Sequence, residues 1–103
     1  MNNIQLTETS LLILSTMHSP IHGYNIMKRI DEVLHPLMSV GPATMYTTLS
    51  KLVKNKLCAI TNVQNRKIYT LTPLGQQVLE SEIKRREKMI EFMKTQHKTW
   101  RTQ

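Results

Sequence analysis

The chain has one cysteine, one tryptophan, one phenylalanine and three glycines in 103 residues. A single thiol, Cys58, cannot close an internal disulfide, so the fold rests on its own core and suits a reducing, cytoplasmic setting. There is no Gly-rich phosphate loop, no pair of carboxylates at catalytic spacing and no nucleophile–base pair, and these absences speak against an enzyme. His18, His22 and Cys58 lack metal-ligand spacing, and Ser19-Pro20 separates the two histidines. Neither a metal nor a cofactor is expected. The apolar run Leu11–Leu14 is too short to span a membrane, and no basic segment precedes it. No repeat or low-complexity segment is present.

The most telling absence is of acid. From Val33 through Leu79 there is no Asp or Glu, while Lys51, Lys54, Lys56, Arg66 and Lys67 give that window a charge of +5. Residues 1–32 sum to −1 and residues 80–103 to +3, for a total of +7. A basic stretch unrelieved by carboxylates implies an anionic partner. A chain this short makes one small domain with an appended element, and its limited core makes a partner subunit a reasonable expectation.

Within the window, Gly41 to Leu57 sorts into two faces when placed on a helix. Met45, Leu49, Leu52 and Val53 follow the spacing of a buried stripe. Thr44, Thr47, Lys51 and Lys54 fall on the opposite side, two hydroxyls for phosphates or base edges and two cations for phosphate. Pro42 is a favoured first residue, so the helix runs from Pro42 to about Asn55.

The flanking segments give that helix a context. A first helix, capped by Thr7 or Thr9, runs to about His18, where Ser19-Pro20 ends it. A second runs from His22-Gly23 to about Leu34, with Ile26, Met27, Ile30, Val33 and Leu34 as its core stripe and His35-Pro36 as its close. After the third helix come two strand candidates, Cys58–Val63 and Lys67–Thr72, joined by a tight turn at Gln64-Asn65-Arg66. Thr72-Pro73 then starts a last helix reaching about Trp100. The fold class is mainly α with a small β-hairpin: a winged helix-turn-helix over 1–72 followed by a long C-terminal helix over 73–103.

The last helix would be roughly 40 Å long, more than a domain of this size needs. Leu79, Ile83, Arg86, Ile90, Met93, His97 and Trp100 step by 4, 3, 4, 3, 4, 3, a heptad seam with Arg86 as its exception. Met89 and Phe92 widen it. One face of an intrachain bundle would look similar. The remaining residues already make a compact unit, which favours self-association.

Three motifs, HGYNIMKRI at 22–30, GPATMYTTLSKL at 41–52 and YTLTPLG at 69–75, occur in the order and spacing found in the PadR family of transcriptional regulators. The chain resembles the short subfamily, and the resemblance covers most of residues 7–79. It implies a homodimeric winged helix that binds double-stranded operator DNA, usually as a repressor, dimerising through its last helix with help from the first. It also implies that Tyr24 and Tyr46 lie near the DNA-facing surface. Some family members bind small aromatic or cationic effectors between the dimer's helices, and Met89, Phe92, Met93, His97 and Trp100 would line such a site here. Two departures add polar groups: Thr47 stands where Pro is frequent, and Lys56 where Gly is frequent. The wing also lacks the usual glycines.

Together these readings make Thr44, Thr47 and Lys51 the base-edge candidates. Lys54, Arg66 and Lys67, with Tyr24 and Tyr46, are the phosphate candidates. Leu79, Ile83, Met89, Ile90, Phe92, Met93, His97 and Trp100 form the dimer and effector set. The rival reading is a winged-helix protein-interaction module that does not bind DNA specifically. It has no need of an acid-free face.

Overall fold

The computed structural model describes residues 6–101. The ends of the ranges 1–72 and 73–103 that fall on residues 1–5 and 102–103 lie outside them. Helix α1 spans Glu8–Ser15, opened by Thr7, whose side-chain oxygen accepts from the Ser10 amide at 3.1 Å. The helix is shorter than its sequence predicts. Ser15 Oγ donates to the Leu11 carbonyl and Thr16 Oγ1 to the Ile13 carbonyl, each at 2.7 Å. Hydroxyls bonding back to the preceding turn loosen a helix. Residues Thr16–His18 tighten into a 3-10 turn with Met17 outside helical geometry. The band Leu11–Leu14 is spent within the chain, with Leu11, Ile13 and Leu14 buried and Leu12 half-buried.

Strand β1 (Ile21–His22) leads into α2 (Gly23–Leu34). Ile26 and Ile30 are buried and Met27 and Leu34 half-buried, but Val33 is 76% exposed and does not belong to the core stripe expected of it. Helix α3 spans Pro42–Lys54, and β2 (Cys58–Val63) and β3 (Arg66–Leu71) form the hairpin. The three strands pair antiparallel in the order β1-β3-β2. Ile21 and Ile60 both face Tyr69 across the sheet. The hairpin register closes Val63 on Arg66, leaving Gln64 and Asn65 as a two-residue turn with φ of 51° and 64°. Both central residues at positive φ is the turn geometry that matches strand twist. Arg66 is therefore the first strand residue rather than part of the turn. Helix α4, Pro73–Arg101, carries 29 residues.

Helix α3 ends in a reciprocal pair of bonds. The Lys56 amide donates to Val53 and the Leu57 amide to Leu52, both at 2.9 Å, with Lys56 at φ 62°. That position favours glycine, because a side chain there crowds the following carbonyl. We expect Lys56→Gly to stabilise the fold by about 1 kcal/mol, raising the thermal midpoint by about 5 °C. A calorimetric midpoint that stays put or falls would refute the expectation.

The α3–β2 junction also anchors α4. Thr72 Oγ1 donates to the Lys56 carbonyl at 2.7 Å and its amide to the Leu57 carbonyl at 3.2 Å. The same Oγ1 caps α4 by accepting from the Gly75 amide at 2.9 Å. The core is filled by Ile13, Leu14, Met17, Ile26, Met45, Leu49 and Leu57, with Val78 and Leu79 of α4 packed against it. Cys58 is buried, and desolvation pushes its thiol from 9.0 up to about 11, so it stays protonated and unreactive near neutral pH.

Candidate nucleic-acid interface

Helix α3 turns Met45, Leu49 and Leu52 into the core and leaves Thr44, Thr47, Lys51 and Lys54 exposed on its outer side. The helix contains no carboxylate, and both its lysines lie in the last turn. Its outer face is thus a strip of hydroxyls and ammonium groups.

Tyr46 sits at the edge of that strip, half-exposed, with its ring across the start of α2. A Cβ built on Gly23 would fall 3.1 Å from Tyr46 Oη and 3.4 Å from its Cε1. Glycine at 23 leaves the tyrosine that room; with a larger residue the ring would have to shift by a few tenths of an ångström. Tyr24, the next residue, is exposed, as are Asn65, Arg66 and Lys67 at the tip of the hairpin. These residues, separated by up to 43 positions in sequence, converge on one groove of about 590 Å³ with His22 and the buried Tyr69. No carboxylate lines it, and Arg66 and Lys67 are its cations. Burial raises the Tyr69 hydroxyl above its ordinary pKa, with smaller contributions from Tyr46 and Cys58, so it remains a neutral hydrogen-bonding group.

The sequence-predicted residues therefore divide into two adjoining sets. Thr44, Thr47, Lys51 and Lys54 occupy the open face of α3, while Tyr24, Tyr46, Arg66 and Lys67 meet in the groove. His22 and Asn65 also line that groove and were not singled out from sequence. His22 adjoins Gly23 and Tyr24 in the first motif, and Asn65 sits at the turn; only tertiary pairing of β1 with β3 brings the two together. The imidazole Nδ1 of His22 is buried without a hydrogen-bond partner.

The second predicted set lies on α4. Leu79 is half-buried against the core. Ile83, Met89, Ile90, Phe92, Met93 and Trp100 are each between 46% and 72% exposed, and His97 is exposed with its ring centroid 6.0 Å from that of Trp100. Apolar side chains this exposed along one helix are what an interaction surface would require. Arg86, the heptad exception, is half-buried and turned toward its own chain. It approaches the Leu6 carbonyl through its guanidinium at 3.5 Å and Glu82 at 3.6 Å. Among the described residues no helix is long and apolar enough to cross a membrane, and no cluster of three or more His, Cys, Asp or Glu is placed to hold a metal ion.

The model of the transcriptional regulator PadR-like family matches residues 11–81. No curated protein sequence matches. A transcriptional regulator from Clostridium thermocellum shares the fold with a TM-score of 0.77 at 20% identity, over 88% of this chain and 97% of that one. A PadR family regulator from Clostridium difficile aligns at 25% identity and TM-score 0.75, over 86% of this chain and 97% of that one. Bacillus subtilis PadR, solved in complex with operator DNA, aligns at 25% identity and TM-score 0.69 over 75% of this chain, which spans about half of it (47%).

Proposed function

The chain belongs to the PadR-like family of transcriptional regulators, which are DNA-binding proteins and not enzymes, and on that footing we propose that it acts in the cytoplasm as a homodimeric repressor. Residues 1–72 serve as the DNA-binding unit and residues 73–103 as the dimerisation helix. Each copy lays α3 in a major groove, and the two half-sites lie about one helical turn apart, roughly 34 Å. Thr44, Thr47 and Lys51 meet base edges. Lys54, Arg66 and Lys67 hold phosphate, and Tyr24 and Tyr46 offer their hydroxyls to the same backbone. The observation that carries this reading is the acid-free surface shared by the outer face of α3 and the wing groove. The related B. subtilis protein, bound to its operator, supports it.

Signal input belongs to the other end of the molecule. Met89, Phe92, Met93, His97 and Trp100 would offer a small aromatic or cationic effector an adaptable apolar wall, completed by the second copy.

Binding titrations across salt test the DNA assignments. Lys54→Ala should weaken operator and random DNA alike, and lower the slope of log affinity against log salt by about 2, one contact from each copy. Lys51→Ala and Thr47→Ala should weaken operator binding more than random binding, each by about 1–3 kcal/mol per copy. Unchanged operator affinity in both variants would remove α3 from the role of reading helix.

A further inference from the structure

We propose that the groove between the wing and the start of α2 binds one free mononucleotide, and that this occupant shuts DNA out. This rests on the DNA-binding reading and adds to it a ligand class and a mode of release. The groove, of about 590 Å³, is the size of a small-molecule site. Its polar groups are unpaired. Among the described residues, the side chains of Tyr24, Tyr46, Tyr69, Asn65, Arg66 and Lys67 make no hydrogen bond or ion pair within the protein. Nδ1 of His22 is buried beside them, also without a partner. Tyr69 is only 3% exposed and lines the groove, so its hydroxyl lies on the floor. A buried polar group without a partner destabilises a fold, and a ligand that supplies the partner removes that penalty.

One part of the groove suits phosphate. The hairpin contributes Arg66 and Lys67, and β1 lies against it, with His22 opposite Ile68. Helix α2 begins at Gly23 in the same groove, without a side-chain cap from His22 and without an acid in its first turn. A helix start beside two cations is a seat for a phosphate group. Another part suits a flat ring. Tyr24 is 68% and Tyr46 48% exposed, and among the described residues neither ring packs on another. Their faces are open to a base, for which aromatic side chains are general platforms. Asn65 carries both a donor and an acceptor for the edge of that base.

A duplex supplies only half of this chemistry. Its phosphates can meet the exposed rim, but its bases stay stacked inside, and it is too broad to reach the Tyr69 hydroxyl. A free nucleotide brings base and phosphate to the floor together. Once seated, its phosphate neutralises Arg66 and Lys67 and its base covers Tyr24 and Tyr46. Those are the four side chains proposed to hold the DNA backbone. Nucleotide and duplex therefore compete for one surface within a single copy, without any movement of α4.

Calorimetric titration of the DNA-free full chain with adenosine or guanosine monophosphate tests the seat. Adenosine and inorganic phosphate serve as half-ligands at matched ionic strength. One monophosphate should saturate one site per copy and bind at least about tenfold more tightly than either half-ligand. Tyr69→Phe and Arg66→Ala should each weaken it by about tenfold. Arg66 is exposed, so its variant keeps the test decisive should Tyr69→Phe unfold. Saturation by neither monophosphate, or an affinity that Arg66→Ala leaves unchanged, overturns the proposal. A single-stranded oligonucleotide that binds more tightly than either monophosphate would give the groove to a strand and overturn the free ligand. Gel shifts of a mixed-sequence duplex test the exclusion. The monophosphate should raise the apparent Kd for duplex in proportion to its occupancy, beyond the effect of sodium chloride at equal ionic strength. Duplex affinity unchanged at saturation overturns the exclusion. A chain that binds no duplex sinks the DNA reading instead, and the calorimetry still decides the seat.

Discussion

Gly75→Ala is expected to destabilise the fold by about 3–5 kcal/mol, lowering the thermal midpoint by about 15 °C or more. A Cβ at this position would lie 1.9 Å from the Leu57 carbonyl oxygen, 2.9 Å from its carbon and 3.0 Å from Leu71 Cδ1. Two of those atoms are backbone and cannot swing aside, so α4 itself must move. Moving it strains the Thr72 bonds to Lys56 and Leu57 and the Gly75 amide bond that caps the helix. For a domain whose total stability is of order 5–15 kcal/mol, the loss is a large fraction. Gly41→Ala is the control: nothing lies within 4 Å of its added carbon, and the change should stay within about 0.5 kcal/mol. Thermal melts of the two variants with equal midpoints would show that the α4 base tolerates the methyl group.

Ile90→Glu combined with Met93→Glu is expected to yield a folded monomer that binds operator about 10²–10⁴-fold more weakly. Both side chains are about half exposed in the single chain, so two carboxylates there cost the protomer little. In the proposed dimer they would be buried against the partner, where an unpaired charge costs several kcal/mol. The DNA effect follows from linkage of two reading heads. Once one head is bound, its non-covalently tethered twin meets the second half-site at high effective concentration, and separating the copies forfeits that gain. Size-exclusion light scattering, circular dichroism and operator titration together decide the matter. A variant that stays dimeric, or a monomer that keeps wild-type operator affinity, would contradict the role given to α4.

The order of the major elements was legible because each is announced by local chemistry. Pro42 and Pro73 open helices, Ser19-Pro20 and His35-Pro36 close them, and β-branched and aromatic residues around a tight turn mark the two strands after Cys58. What escaped was tertiary. Strand β1 has two residues and no periodicity of its own; it exists because β3 offers it an edge. The early end of α1 comes from two hydroxyls turning back on the helix, and Val33, three residues past the buried Ile30, lies in the last turn of α2 and is left exposed. The outer face of α3 could be read from one helix. The wing groove joins residues from α2, α3 and the hairpin, so its membership depends on packing that no single segment encodes. Gly75 stood in a recognisable motif, but its reason, a carbonyl beneath its Cα, is visible only in three dimensions.

The carbonyls of Lys56 and Leu57 are adjacent peptides at the foot of α3, and both are held by the residue that starts α4. No flexible linker separates the two helices: only a tight hairpin lies between them, closed by those bonds. The long helix is therefore a lever of roughly 43 Å whose fulcrum is the end of α3. Tilting its far end by a few degrees displaces that end by several ångströms, and the strain reaches the foot of α3 through the Thr72 bonds to Lys56 and Leu57. In the proposed dimer, a small molecule wedged near Trp100 would act on that lever, and so on how the two α3 faces would straddle a duplex.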